Sequence, residues 1–330
     1  FDIGLTSRII GAPVVKEYHM TTARRNLLAI ANSNFFHCYT RCVRQNFLCG
    51  VDQETGRDFE HRKQWIVERL NELSNIFAVK LWSYAVMSNH YHLVLEVCPE
   101  TLGAWDDDEI IGRWAMIFPN DAKKTKLLEE QDLTARIKEI RSHLGSISKY
   151  MACLNHWVSL KANKEEKKVG RFWDGRFKMK CLDDERAILT AMAYTDLNPI
   201  RANIAKTPEK SEHTSIKKRI EYISRFSCPE KQQKTLRSPL QAIAGKELSP
   251  SELPISMSDY LQLVDFTGKV LLDGKGNIPG ELACILDRLD MAHAGWNEMM
   301  LDFNTKTGRI VRAPDEFIEM FPGTKRIKGA

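Results

Sequence analysis

The apolar positions of the chain fall into a few segments of distinct period. Phe35 to Val43 predicts a first strand. Phe59 to Phe77 carries Trp65, Ile66, Leu70, Leu73 and Phe77 at helical spacing and predicts an amphipathic helix. Val79 to Met87 predicts a second strand, Ser88-Asn89 a turn, and His90 to Val97 a third strand. Strand, helix, then a pair of strands opens a ferredoxin-like or RRM-like α+β core. Such an antiparallel sheet leaves one face free for single-stranded nucleic acid.

From Pro99 to Lys168 the pattern turns helical, over Leu127–Leu144 and Ser146–Leu160, with Asp106–Glu109 as a solvated helix start and Lys161–Lys168 as a charged loop. Asp184 to Pro199 opens on acidic residues and sets Ile188, Ala191, Met192 and Thr195 on one stripe, which predicts a half-buried helix. Pro199 is expected to stop it and push Asn198 towards an extended conformation. Beyond Arg225 come proline-rich loops and a capping box at Ser256–Asp259, whose helix closes near Gly268. Short amphipathic pieces follow at Glu281–Leu289, Trp296–Phe303 and Asp315–Phe321. The expected organisation is a core built from 20–98 and 169–225, a helical insertion at 99–168, and a small helical C-terminal domain at 226–330.

Composition narrows the picture. A 330-residue chain with 43% hydrophobic residues can bury a sizeable core. No apolar run approaches the roughly 18 residues that span a bilayer, and no secretory pattern opens the chain, so a soluble cytoplasmic protein is expected. The eight cysteines contain no Cys-x-x-Cys pair and read as reduced packing residues. His37, Cys38, Cys42 and Cys49 lack the spacing of the usual zinc knuckles. The net charge is +5, yet Lys161–Arg237 alone holds nineteen Lys and Arg against eleven Asp and Glu. The positive excess therefore lies in the stretch containing the 184–199 helix, a footprint suited to phosphates.

The candidate chemistry sits on the third strand and this helix. Strand alternation puts His90 and His92 on one face, where two imidazoles can occupy adjacent positions around one metal. Tyr194 and Asn198, four apart, share one helix face. Arg171, Trp173, Arg176, Phe177 and Lys178 interleave basic with aromatic residues, as backbone tracking plus base stacking requires. Arg41, Arg44 and Arg201 are further candidate phosphate contacts.

His90-Tyr91-His92 with Tyr194 and Asn198 resembles the active site of the single-tyrosine HUH transposases, and in particular the REP-associated tyrosine transposases related to the IS200/IS605 group. Phe36–Arg44, Gly170–Lys178 and Tyr194–Asn203 extend the resemblance, which covers about residues 20 to 220. It implies an HUH endonuclease core with Tyr194 as nucleophile. It further implies a divalent ion, Mg²⁺ or Mn²⁺, held by His90, His92 and Asn198. The implied substrate is single-stranded DNA carrying a REP-like hairpin, cleaved and rejoined through a 5′-phosphotyrosine. A bacterial, nucleoid-associated monomer or homodimer is expected. Because family chains start near Met20, residues 1–19 read as an N-terminal extension or expression remnant. Two other readings compete: a domesticated hairpin-DNA-binding regulator of the same fold, and a metal-dependent phosphohydrolase unrelated to transposition.

Overall fold

The computed structural model describes residues 33–52, 55–248, 253–270 and 274–288. Residues 1–19, the start at Met20 and the pieces at Trp296–Phe303 and Asp315–Phe321 lie outside them. A four-stranded antiparallel sheet, in the order β2-β3-β1-β4, organises the α+β fold. Its strands are β1 (Phe35–Arg41), β2 (Val79–Val86), β3 (His90–Val97) and β4 (Lys178–Leu182). Helix α1 (His61–Ile76) links β1 to β2. Between β3 and β4 run α2 (Pro99–Ala104), α3 (Asp107–Ile117), α4 (Pro119–Thr125), α5 (Glu130–Leu144) and α6 (Ile147–Glu166). Asp106 caps α3 by accepting from the Glu109 N–H at 2.8 Å.

One sheet face sends Phe36, Leu81, Tyr91, Leu93 and Leu95 into a core shared with Leu70 and Leu73 of α1 and Tyr150 and Leu154 of α6. The other face, expected to be free, is covered. It carries Trp82, Val94 and Leu182, apolar surface that favours burial, and α7 (Glu185–Arg201) lays Ile188, Ala191, Met192 and Leu197 over it. Asp184 caps α7 by accepting from the Ala187 N–H at 2.7 Å.

Two local expectations are corrected. Lys161–Glu166 is not a loop but the end of α6, because Glu165 and Glu166 reach the fully buried Arg62 guanidinium at 2.6 and 3.1 Å. The helix closes one residue later, where Lys167 turns left-handed at φ 53°. Nor does Pro199 end its helix: Asn198 stays helical and α7 runs on to Arg201. Proline is unfavourable there because it removes a backbone donor. Packing from both sides outweighs it. Buried Asp196 accepts from Ser215 Oγ, from the Ile216 N–H at 2.9 Å and from the Tyr260 hydroxyl at 2.5 Å. Arg201, only 7% exposed, donates to the carbonyls of Thr267, Val270 and Gly276 at 2.7, 2.9 and 3.0 Å.

These partners lie in α8 (Ser215–Ser224), α10 (Met257–Lys269) and the segment after it. Over its described residues the chain beyond 226 shares a core with α7. It comprises α9 (Pro229–Arg237), short strands β5 (Pro239–Leu240) and β6 (Leu253–Ser256), α10, and α11 (Ile285–Arg288). The N-cap of the expected capping box is present: Ser256 Oγ accepts from the Asp259 N–H at 3.1 Å, and the Asp259 carboxylate meets the Ser256 hydroxyl at 2.7 Å rather than its backbone N–H.

Candidate active site

The register of β1 against β3 pairs Arg41 with His90, Tyr39 with His92 and His37 with Val94. Side chains at these odd positions of β1 and even positions of β3 face α7. Tyr194, half-buried on α7, sets its ring edge-on to His92 at 5.3 Å between centroids and to His37 at 5.9 Å. His90 and His92 are also edge-to-face, at 5.1 Å. One corner between sheet and helix therefore gathers His90, His92, Tyr194 and Asn198.

Asn198 joins the two sides. Its Nδ2 donates to the Tyr194 carbonyl at 3.1 Å, and its amide is near enough to the His90 ring and the Tyr194 hydroxyl to shift the proton affinity of both. Helical spacing makes this possible, since i and i+4 stand one above the other; an extended Asn198 would point elsewhere. Asn89, in the turn before β3, holds the other end of His90, with Oδ1 2.6 Å from Nδ1, and its own Nδ2 donates to the Gln45 carbonyl at 3.0 Å.

Burial sets the electrostatics. It pushes the His90 imidazole down to about 4, with Arg41 adding to the effect and Asn198 opposing it. His92 is held well below the ordinary histidine range by burial, then by His37, His90 and Arg41. His37 falls to about 4 through burial and the Lys180 charge. All three rings are thus neutral at pH 7, with their lone pairs unprotonated and usable as donors. The Tyr194 hydroxyl is raised by burial, against lowering by Asn198 and Arg41. Ionising it needs help from a neighbouring positive charge.

The donor chemistry fits a divalent ion. His90 Nδ1 is engaged by Asn89 and His92 Nδ1 by His37, so Nε2 is the nitrogen of each ring that a cation could meet. Among the described residues no group of three His, Cys, Asp or Glu is placed to hold a metal, so an ion in this corner would need a ligand of another kind beside the imidazoles. Neutral donors leave an ion's charge undiminished towards a phosphate.

Other expected site residues divide by exposure. Arg41, Arg44, Arg171, Arg176 and Lys178 are exposed. Trp173 and Phe177 are buried, at 8% and 5% exposure, and offer no ring face to a base. Trp173 donates its indole N–H to the Asn155 carbonyl at 3.0 Å and meets Tyr91 edge-to-face at 5.4 Å. The segment runs beside the end of β1, with the Val43 N–H on the Phe172 carbonyl and the Asp174 N–H on the Arg41 carbonyl, so its aromatics turn inward and its basic residues outward. Arg201 is likewise buried, its guanidinium engaged with backbone carbonyls rather than offered to solvent. His37, Tyr39 and Lys180 join the site without having been singled out for it. The signal was the alternation of β1, since Phe35, His37, Tyr39 and Arg41 share a face.

No family model matches the chain, and no curated protein matches it. One solved structure is similar: a REP-associated tyrosine transposase bound to a REP hairpin. The likeness covers 58% of this chain and 81% of that one, at 9% identity and a TM-score of 0.36.

Proposed function

We propose that this chain cleaves and rejoins single-stranded DNA, acting as a metal-dependent endonuclease and strand transferase of the single-tyrosine HUH type at hairpin-flanked sites. The observation that carries the reading is the convergence of Tyr194 and Asn198, from α7, on His90 and His92, from β3. The strand order and the strand–helix–strand–strand opening also suit a ferredoxin-like HUH core. His90, His92 and Asn198 would hold Mg²⁺ or Mn²⁺, which when bound polarises the scissile phosphate and stabilises developing charge.

The chain's own residues supply the rest. The Tyr194 hydroxyl attacks phosphorus, its Oη–P bond forming as the bond from phosphorus to the 3′-oxygen breaks. The tyrosyl proton ends on the departing 3′-oxygen, leaving a 3′-hydroxyl and a 5′-phosphotyrosine. No high-energy cofactor is consumed, because the phosphodiester energy stays in the tyrosyl ester; an incoming 3′-hydroxyl reverses the step and joins strands. Asn198 positions Tyr194 from one turn away. Arg41, beside His90 and Tyr194, and the exposed Arg44, Arg171, Arg176 and Lys178 would supply the positive charge that draws the backbone in.

The test is a nicking assay on a hairpin-bearing single-stranded oligonucleotide. Cleavage is expected with Mn²⁺ or Mg²⁺, silence in chelator, and loss in His90→Ala and His92→Ala. Binding without cleavage under every condition would instead favour the regulator, and undiminished cleavage in excess chelator would remove the ion from the mechanism.

A further inference from the structure

The deepest polar contact in the corner is one that the proposed chemistry has not used. His37 Nε2 lies 3.0 Å from His92 Nδ1, and both rings are buried, at 4% and 5% exposure. The rings are almost parallel, 11° apart, with centroids 5.2 Å apart. That separation exceeds the N···N distance by about one ring width, so the bond lies along the line joining the two rings, where imidazole nitrogens hydrogen-bond best.

Two neutral imidazoles sharing one bond admit one proton between them. If His37 donates, the remaining proton of His92 sits on Nε2, and that nitrogen cannot bind a cation. When His92 donates from Nδ1, its Nε2 carries the lone pair that a ligand needs.

We propose that His37 is a positioning residue for the cation site: it accepts the His92 Nδ1–H and so fixes which nitrogen of His92 meets the metal. This rests on the proposed role of His92 as a ligand.

The proton count has a further consequence. When His37 accepts at Nε2, its own proton lies on Nδ1, which is buried and has no hydrogen-bond partner among the described residues. An unpartnered buried N–H is less favourable than an unpartnered lone pair. Without a cation the pair therefore rests with His37 donating. Cation binding reverses the bond, and both rings change tautomer together.

The experiment has two arms on the full chain. In the first, ¹⁵N-histidine spectra of the wild type are compared in chelator and in saturating Mg²⁺. The expected result moves the His92 proton from Nε2 to Nδ1 and the His37 proton from Nε2 to Nδ1. A His92 that keeps its proton on Nε2 in saturating Mg²⁺ overturns the proposal.

In the second arm, Mn²⁺ affinity is read by electron paramagnetic resonance for His37→Phe, His37→Gln and His92→Ala, each with a melting temperature. Loss of this kind of outer-shell partner typically weakens metal binding by about 10–100-fold. That loss is expected for His37→Phe. His37→Gln, whose amide oxygen can accept, should recover to within a few-fold of wild type at a similar melting temperature. Equal losses in Phe and Gln, or a Phe variant that binds Mn²⁺ like wild type, would refute the assignment. If His37→Phe fails to fold, the tautomer arm decides alone. Failure of the underlying reading looks different: His92→Ala would bind Mn²⁺ as tightly as wild type.

Discussion

Arg201 separates a DNA contact from a structural clamp. Its guanidinium donates to three carbonyls that belong to the end of α10 and the segment after it, at 2.7, 2.9 and 3.0 Å. Arg201→Ala removes all three bonds. Hydrogen bonds to a charged group are worth about 1.5–3 kcal/mol each. Burial already works against the charge and lowers the Arg201 pKa, and water entering the vacated space regains part of the loss. The net destabilisation should be about 3–5 kcal/mol, or roughly 4–7 °C in melting temperature for a chain of this size. Arg201→Lys, which can satisfy fewer of the carbonyls, should fall between. The assay is urea unfolding together with the salt dependence of binding to a single-stranded hairpin oligonucleotide. The expected result is a lower unfolding free energy with an unchanged salt slope below the transition. An unchanged stability together with a slope flattened by about 0.7 would show a phosphate contact and refute the clamp.

Trp173→Ala should cost about 3–5 kcal/mol of stability because its indole is buried against Tyr91 and Phe172; loss of DNA affinity at full stability would contradict this. Exposed Arg176 should behave oppositely: Arg176→Ala leaves the melting temperature alone and reduces the salt slope by about 0.7, and an unaltered slope removes it from the DNA path. Acid should destabilise the fold through His37. Its imidazole falls from 6.5 to about 4 on burial, so the unfolded chain takes up the proton first. Stability from this residue is present above pH 6.5 and lost as the pH falls towards 4, by about 3 kcal/mol at most. Urea unfolding in chelator should show that loss, and His37→Phe should reduce it; a profile identical in the two proteins would contradict the burial argument.

Much of this architecture is legible where one local signal acts alone. The third strand begins at His90 and ends at Val97 as alternation and the Ser88-Asn89 turn require, and Ser256 caps its helix. Stripe residues Ile188, Ala191, Met192 and Thr195 of α7 are buried. Errors arise where a distant partner decides. Arg62, a hundred residues away in sequence, turns an apparent charged loop into helix. Asp196 and Arg201 carry α7 through Pro199 by contacts with a segment whose proximity no period reveals. In Arg171–Lys178 the mixture of basic and aromatic residues fits both a base-stacking strip and an ordinary in–out alternation, and only burial separates them. Of the site, the two β3 histidines and the Tyr–Asn pair could be read from spacing. His37 could not, because its role depends on the pairing of β1 with β3 and on the helix above them.

Covalent capture on DNA decides whether Tyr194 is the nucleophile. Wild-type protein, Mn²⁺ and a labelled hairpin oligonucleotide are mixed and denatured in detergent, and the adduct is digested for peptide mass mapping. The account predicts a DNA adduct on the peptide containing Tyr194, linked through a 5′-phosphate, and no adduct from Tyr194→Phe, which should still fold and bind the hairpin. An adduct that persists in Tyr194→Phe, or maps to another residue, would contradict it.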